Sequence, residues 1–179
     1  MKISVWRSSV IVVLLLLSAS VLWLFLQKPR TAYVNTQKLY NGFQLKKELD
    51  QKLTSLQQSR INTLDSLKNS LTLLTNSMKL NGAEENPSDP NWSTYTALRD
   101  NYIKQQTYFE QDNEQKREQY MNQIWAQLNQ FVTEYGKEKN LEYLFGGDGS
   151  GAVMYARDAQ DVTDEVIIYA NSKYQGTVK

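Results

Sequence analysis

Histidine and cysteine are absent from all 179 residues. Without them there is no thiolate nucleophile, no disulfide, no imidazole base and no zinc site built on imidazole or thiolate. Proline (3) and glycine (8) are scarce, so little interrupts regular structure. No Gly-Lys-Ser/Thr phosphate loop occurs. An excess of one charge is also lacking: 20 Lys+Arg stand against 19 Asp+Glu, a net of +1. Residues 1–30 hold four bases (Lys2, Arg7, Lys28, Arg30) and no acid, so residues 31–179 carry 16 bases and 19 acids, a net of −3. A nucleic-acid binder leaves a strongly basic footprint, which this part of the chain does not have. With 11 Tyr, 5 Phe and 4 Trp, the chain is too aromatic for simple disorder. The expectation is a helix-rich protein that is not an enzyme and uses no cofactor or metal.

What is present begins with an apolar run from Val10 to Leu26, interrupted only by Ser18, Ala19 and Ser20. Its 17 residues sit at the lower limit for a helix that spans the hydrocarbon core. Two readings fit. The basic start, apolar centre and small Ser18-x-Ser20 pair suit a cleaved signal peptide. The greasy stretch Val21–Leu26 directly after that pair, with Trp23 at an interface and Lys28 and Arg30 at the boundary, favours an uncleaved anchor in the inner membrane. Bases flank both ends about equally, so they do not set the orientation. The short tail before the run places residues 31–179 outside the cytoplasm.

After Pro29, Thr31–Asn35 has β-formers at alternate positions and predicts a strand. From Gln37 to Leu80 the apolar residues recur largely in threes and fours (Leu49, Leu53, Leu56; then Leu64, Leu67, Leu71, Leu74, Met78), which predicts one long helix. Residues 81–92 hold two of the prolines and read as a loop, with Ser93 as an N-cap. A second long helix is expected over Thr94–Lys139. Two helices this long, joined by a short loop, lie antiparallel, and no core from a chain of this size can hide them. The hairpin over residues 37–139 must project as a coiled-coil-like arm. Residues Glu110–Gln119 contain no apolar side chain, a soft, locally polar stretch that could bend. Residues 140–145 and 152–156 predict two strands of a hairpin around Gly146–Gly151, and Asp161–Asp164 opens a terminal helix. The fold class is thus mostly α: a long helical hairpin on a short-stranded β body formed by 31–36 and 140–179, with an N-terminal transmembrane or signal helix at 1–30.

Gly147-x-Gly149-x-x-Ala152 matches a dinucleotide fingerprint in letters only, because β-formers follow it where a helix is required. Asp158, Asp161, Asp164 and Glu165 cluster, but they lack EF-hand spacing and read as helix caps and a solvated face. On the second helix Ile103, Tyr108, Met121, Trp125 and Val132 fall beside the main stripe. An apolar face too broad for one partner helix implies a second partner, either another subunit or a client chain. Segment 37–80 holds seven bases and three acids, a solvated face or a loose hold on an acidic partner.

The order of leader, short strand, long hairpin, strands and terminal helix resembles the Skp/OmpH family of periplasmic chaperones. The likeness is carried by Ala32-Tyr33-Val34-Asn35-Thr36-Gln37-Lys38-Leu39 at the front. At the back it is carried by Leu141–Phe145, Val153–Ala156 and Asp161-Val162-Thr163-Asp164-Glu165-Val166. The resemblance implies a homotrimer whose pooled strands make the β body and whose arms surround a cavity. It also implies an ATP-independent holdase function toward unfolded outer-membrane proteins. On this reading the body uses Ala32, Val34, Tyr143, Phe145, Val153, Tyr155, Val166 and Ile167. Candidate client contacts are Leu56, Leu67, Leu74, Tyr102, Tyr108, Phe109, Tyr120 and Trp125. The rival expectation is a membrane-anchored structural or adaptor subunit of an envelope assembly, whose arms grip one folded partner.

Overall fold

A computed structural model describes residues 13–21, 23, 29–80, 82, 86–147 and 153–176. The elements are β1 (Thr31–Asn35), α1 (Thr36–Gly42), α2 (Gln44–Leu80), α3 (Pro90–Glu138), β2 (Tyr143–Gly147), a 3₁₀ turn (Asp158–Gln160) and α4 (Thr163–Tyr174). In the leader, residues 13–21 are helical, and the rest of it, apart from residues 23, 29 and 30, lies outside the described residues. Among the described residues no helix is long and apolar enough to cross a membrane.

The expected first helix is two helices. α1 stops at Gly42, Phe43 is extended (φ −76°, ψ 132°), and α2 starts afresh at Gln44. Close packing explains why glycine sits at the break: a Cβ on Gly42 would lie 2.8 Å from Ile167 Cδ1. At the far end α3 begins four residues before the expected Thr94. Pro90 occupies its first turn, and Asp89 Oδ1 accepts the Asn91 N–H at 2.7 Å. Proline has no N–H to waste there, and aspartate is a strong cap, so Asp-Pro outcompetes Ser93. α3 then runs unbroken for 49 residues, about 74 Å at 1.5 Å per residue.

The β layer departs most from expectation. β2 lies at 143–147 rather than 140–145, and it pairs with β1 in parallel, Thr31 opposite Tyr143 and Asn35 opposite Gly147. Parallel neighbours need a crossover, and the entire arm serves as one. The predicted strand at 152–156 does not form over its described residues: residue 153 is a bend and residues 154–157 have no regular structure, while residue 152 and residues 148–151 of the expected turn lie outside the described residues. The place beside β1 is taken instead by Asp161-Val162. Tyr33 bridges Asp161, and the Val162 N–H reaches the Tyr33 carbonyl at 2.9 Å.

One apolar cluster joins the layers. It includes Val34, Leu39, Phe43, Leu45, Leu49, Ile124, Leu128, Phe131, Tyr135, Val166 and Ala170. All of these lie in β1, α4 or the root of the arm. The Asp161–Thr163 pair ties the same region together. Thr163 is 1 % exposed. Its Oγ1 accepts the Asn35 N–H at 2.8 Å, and its hydroxyl donates to Asp161. Asn35 in turn caps α1 by accepting the Lys38 N–H at 2.8 Å.

Candidate functional site

The arm outgrows its core. Among the described residues, the only buried hydrophobic side chain beyond Leu49 on α2 is Met78, and on α3 none precedes Ile124. The outer arm is a thin seam of half-buried side chains with apolar groups left in water. Ile61, Leu73, Leu80, Ile103, Tyr108 and Met121 are all exposed, Leu73 at 71 % and Leu80 at 88 %. Large apolar side chains left in water along both helices of a projecting arm offer contact area to another chain.

The client candidates divide by position. Leu56, Leu67, Leu74, Tyr102 and Phe109 are half-buried along the α2–α3 seam, whereas Tyr108 is 60 % exposed. Tyr120 and Trp125 pack against the core at the arm's root. Trp125 stacks on Tyr40, with ring centroids 5.1 Å apart and 29° between planes. Ile61, Leu73 and Leu80 were not among the candidates. Their signal was a place just off the seam, as at Ile103 and Tyr108. Of the body residues, Ala32, Val34 and Val166 are buried, Ile167 and Val153 are half-buried, and Tyr143, Phe145 and Tyr155 are exposed in the single chain. Tyr143 and Phe145 stack on each other at 5.8 Å on the outer face of β2.

The polar stretch at mid-arm has a partner. Arg60 of α2 is 11 % exposed and pairs with Asp112. It also donates to Asn113 and, at 3.4 Å, to the Phe109 carbonyl. Its guanidinium carbon lies 5.1 Å from the Phe109 ring centroid. Beside this knot a shallow groove of about 260 Å³ is lined by Ile61, Leu64, Gln106 and Phe109.

At the root, carboxylates bind tyrosines. Tyr135 Oη donates to Glu165 at 2.8 Å, Tyr169 to Glu138 at 2.6 Å and Tyr174 to Glu48 at 2.7 Å. The Tyr174 hydroxyl and the Gln44 amide hold the Glu48 carboxyl below its ordinary 4.5, and Tyr169 does the same for Glu138. Asp161 is held below 3.8 by the Thr163 hydroxyl and N–H. A depressed carboxylate contributes stability above its ordinary pKa and loses it as pH falls through the folded value. Stability should therefore be flat from neutral pH toward 5, then fall as pH drops below 4.5 and 3.8. Urea midpoints measured against pH check this, and Tyr174→Phe should flatten the acid slope.

The sequence profile of the family described as outer membrane protein (OmpH-like) matches residues 30–169. The chain belongs to the OmpH-like family. Among solved structures, this OmpH-like chain is similar to a protein of Caulobacter crescentus described as an outer membrane chaperone (OmpH-like). The identity is 15 %, covering 82 % of this chain and 86 % of that one, with a TM-score of 0.67. At that identity the likeness is one of fold. No curated protein matches the chain. The matched span of the OmpH-like chain starts one residue before β1 and ends within α4, so it takes in both the body and the whole arm.

Proposed function

We propose that this OmpH-like chain is a periplasmic holdase chaperone that acts without ATP or catalysis and retains unfolded outer-membrane proteins along its arms. The single observation that carries the reading is the outer arm's missing core: both helices continue far beyond the last shared buried cluster, with large apolar side chains in water. Such a surface suits weak, numerous contacts that hold a chain without imposing a structure on it. The copies associate as a homotrimer through the body. Exposed Tyr143, Phe145, Met154 and Tyr155 support association there, because a two-stranded sheet is marginal alone. The apolar run 10–26 tethers the protein to the inner membrane, close to where clients emerge.

The test is suppression of aggregation. Residues 29–179, which contain every element of the fold, should keep an unfolded outer-membrane protein soluble at stoichiometric ratio with no nucleotide present. Replacing Ile61, Ile103 and Tyr108 together with Ser should weaken client affinity about ten-fold, since each removed apolar contact contributes a fraction of a kcal/mol and 1.4 kcal/mol is a factor of ten. Capture of one folded partner, with no delay of client aggregation, would replace this reading with the adaptor role.

A further inference from the structure

Charge is not spread evenly along the arm. Residues 69–78 of α2 contain no Asp, Glu, Lys or Arg, and neither do residues 90–98 of α3. The pairing of Arg60 with Asp112 sets the register of the two antiparallel helices. Outward from that pair, the same register brings the two uncharged stretches alongside each other. Further in, the arm is densely charged. Lys46, Lys47, Glu48, Asp50 and Lys52 fall within the first turns of α2, and every charged type recurs between Glu110 and Glu118 of α3.

The uncharged end is polar as well as apolar. Asn76, Ser77, Ser93 and Thr94 are exposed, and among the described residues their side chains have no hydrogen-bond partner. Leu73 stands in the same stretch, 71 % exposed. On α3, Thr94, Ala97, Leu98 and Asn101 recur in threes and fours and, with Ser93, line an open groove of about 520 Å³.

The centres of interfaces are depleted of charge, because an ion that loses its water and finds no partner is costly. A charged client segment laid on the outer end would lose hydration there and meet no countercharge. An uncharged one meets apolar contact at Leu73 and free hydroxyl and amide groups that can pair with the N–H and C=O groups of an unfolded backbone. We propose that the outer end of the arm, residues 69–78 and 90–98, takes client segments free of charged side chains, and that charged segments lie further in; this rests on the client reading above. Strands that cross a membrane supply such segments, since charge on their lipid face is destabilising.

The test places a photoreactive benzoylphenylalanine at Leu73, at Ala97 or, as the charged-zone control, at Gln115 of the full chain, all three exposed. Each chain is irradiated with an unfolded outer-membrane protein, and the crosslinked client peptides are identified by mass spectrometry. Peptides reached from Leu73 and Ala97 should hold about three-fold fewer Asp, Glu, Lys and Arg per residue than those reached from Gln115. Ser77→Glu with Thr94→Glu should cut the client yield from Leu73 about five-fold and leave that from Gln115 unchanged. Equal charge in the peptides reached from all three positions would overturn the proposal and leave the client reading standing. So would client crosslinks from Gln115 alone, or crosslinks from Leu73 to a second copy of this chain in place of client. No client crosslink from any position, with no delay of client aggregation, would remove the client reading and this inference with it.

Discussion

Replacing Phe43 with alanine should lower the unfolding free energy by about 3–5 kcal/mol, the range for truncating a fully buried aromatic. The side chain is 0 % exposed. Its ring meets Phe131 at 6.1 Å and 78° and Tyr174 at 5.6 Å and 70°, both edge-on. Such pairs contribute beyond the area they bury. Among the described residues no second cluster takes up the loss, because α1, α2, α3 and α4 all meet in this one core. Against a typical total of about 5–15 kcal/mol, the variant should be close to unfolded at physiological temperature. Urea titration at fixed protein concentration checks this, and the midpoint should fall with little change in slope. Phe43→Leu should recover more than half of the loss. A wild-type midpoint in the alanine variant would mean that the arm's root is not the seat of stability.

The second large effect belongs to Arg60. Removing one partner of a buried ion pair costs about 3–5 kcal/mol, because the other charge is left desolvated. Asp112 is 19 % exposed and can turn toward water, so about 2–3 kcal/mol is expected for Arg60→Met. The loss should be local. Hydrogen exchange should rise in the outer arm, residues 55–115, while Val166 and Ala170 in α4 stay protected. Replacing Arg60, Asp112 and Asn113 together with Met, Leu and Leu should restore stability, since an apolar seam of similar volume is as good as a satisfied polar knot. If the single variant exchanges like the wild type, the knot does not hold the arm together.

Much of the arm was legible in the sequence. The threes and fours from Leu49 to Leu56 and from Leu64 to Met78 locate α2 to within a turn at its outer end, and the proline pair locates the loop. The Asp89-Pro90 cap is also present in the letters, four residues ahead of the competing Ser93. Even the Arg60 knot left a trace. Folding the chain about its loop puts position 60 opposite position 110, so the one arginine of α2 faces the start of the polar stretch. The candidate surface was only half legible. Tyr108 stands in solvent, but Trp125, equally off the stripe, is occupied by Tyr40 of α1. Periodicity along one helix says which side chains share a face; it does not say which other element covers that face.

The sequence by itself determined two long helices, the turn between them, the absence of thiol and imidazole chemistry, and an apolar supply too thin to bury a hairpin of that length. These follow from composition and from interactions within a few residues, where helix spacing, caps and breakers act. Only the tertiary structure decided that β1 pairs in parallel with β2 across the whole arm, and that Asp161-Val162 takes the place expected of residues 152–156. It also decided that the first helix breaks at Phe43 because Asn171, far along the chain, satisfies both broken ends. The physical reason is common to all three. A short extended segment or an interrupted helix has little stability of its own, so its partner decides its state, and that partner lies more than 100 residues away.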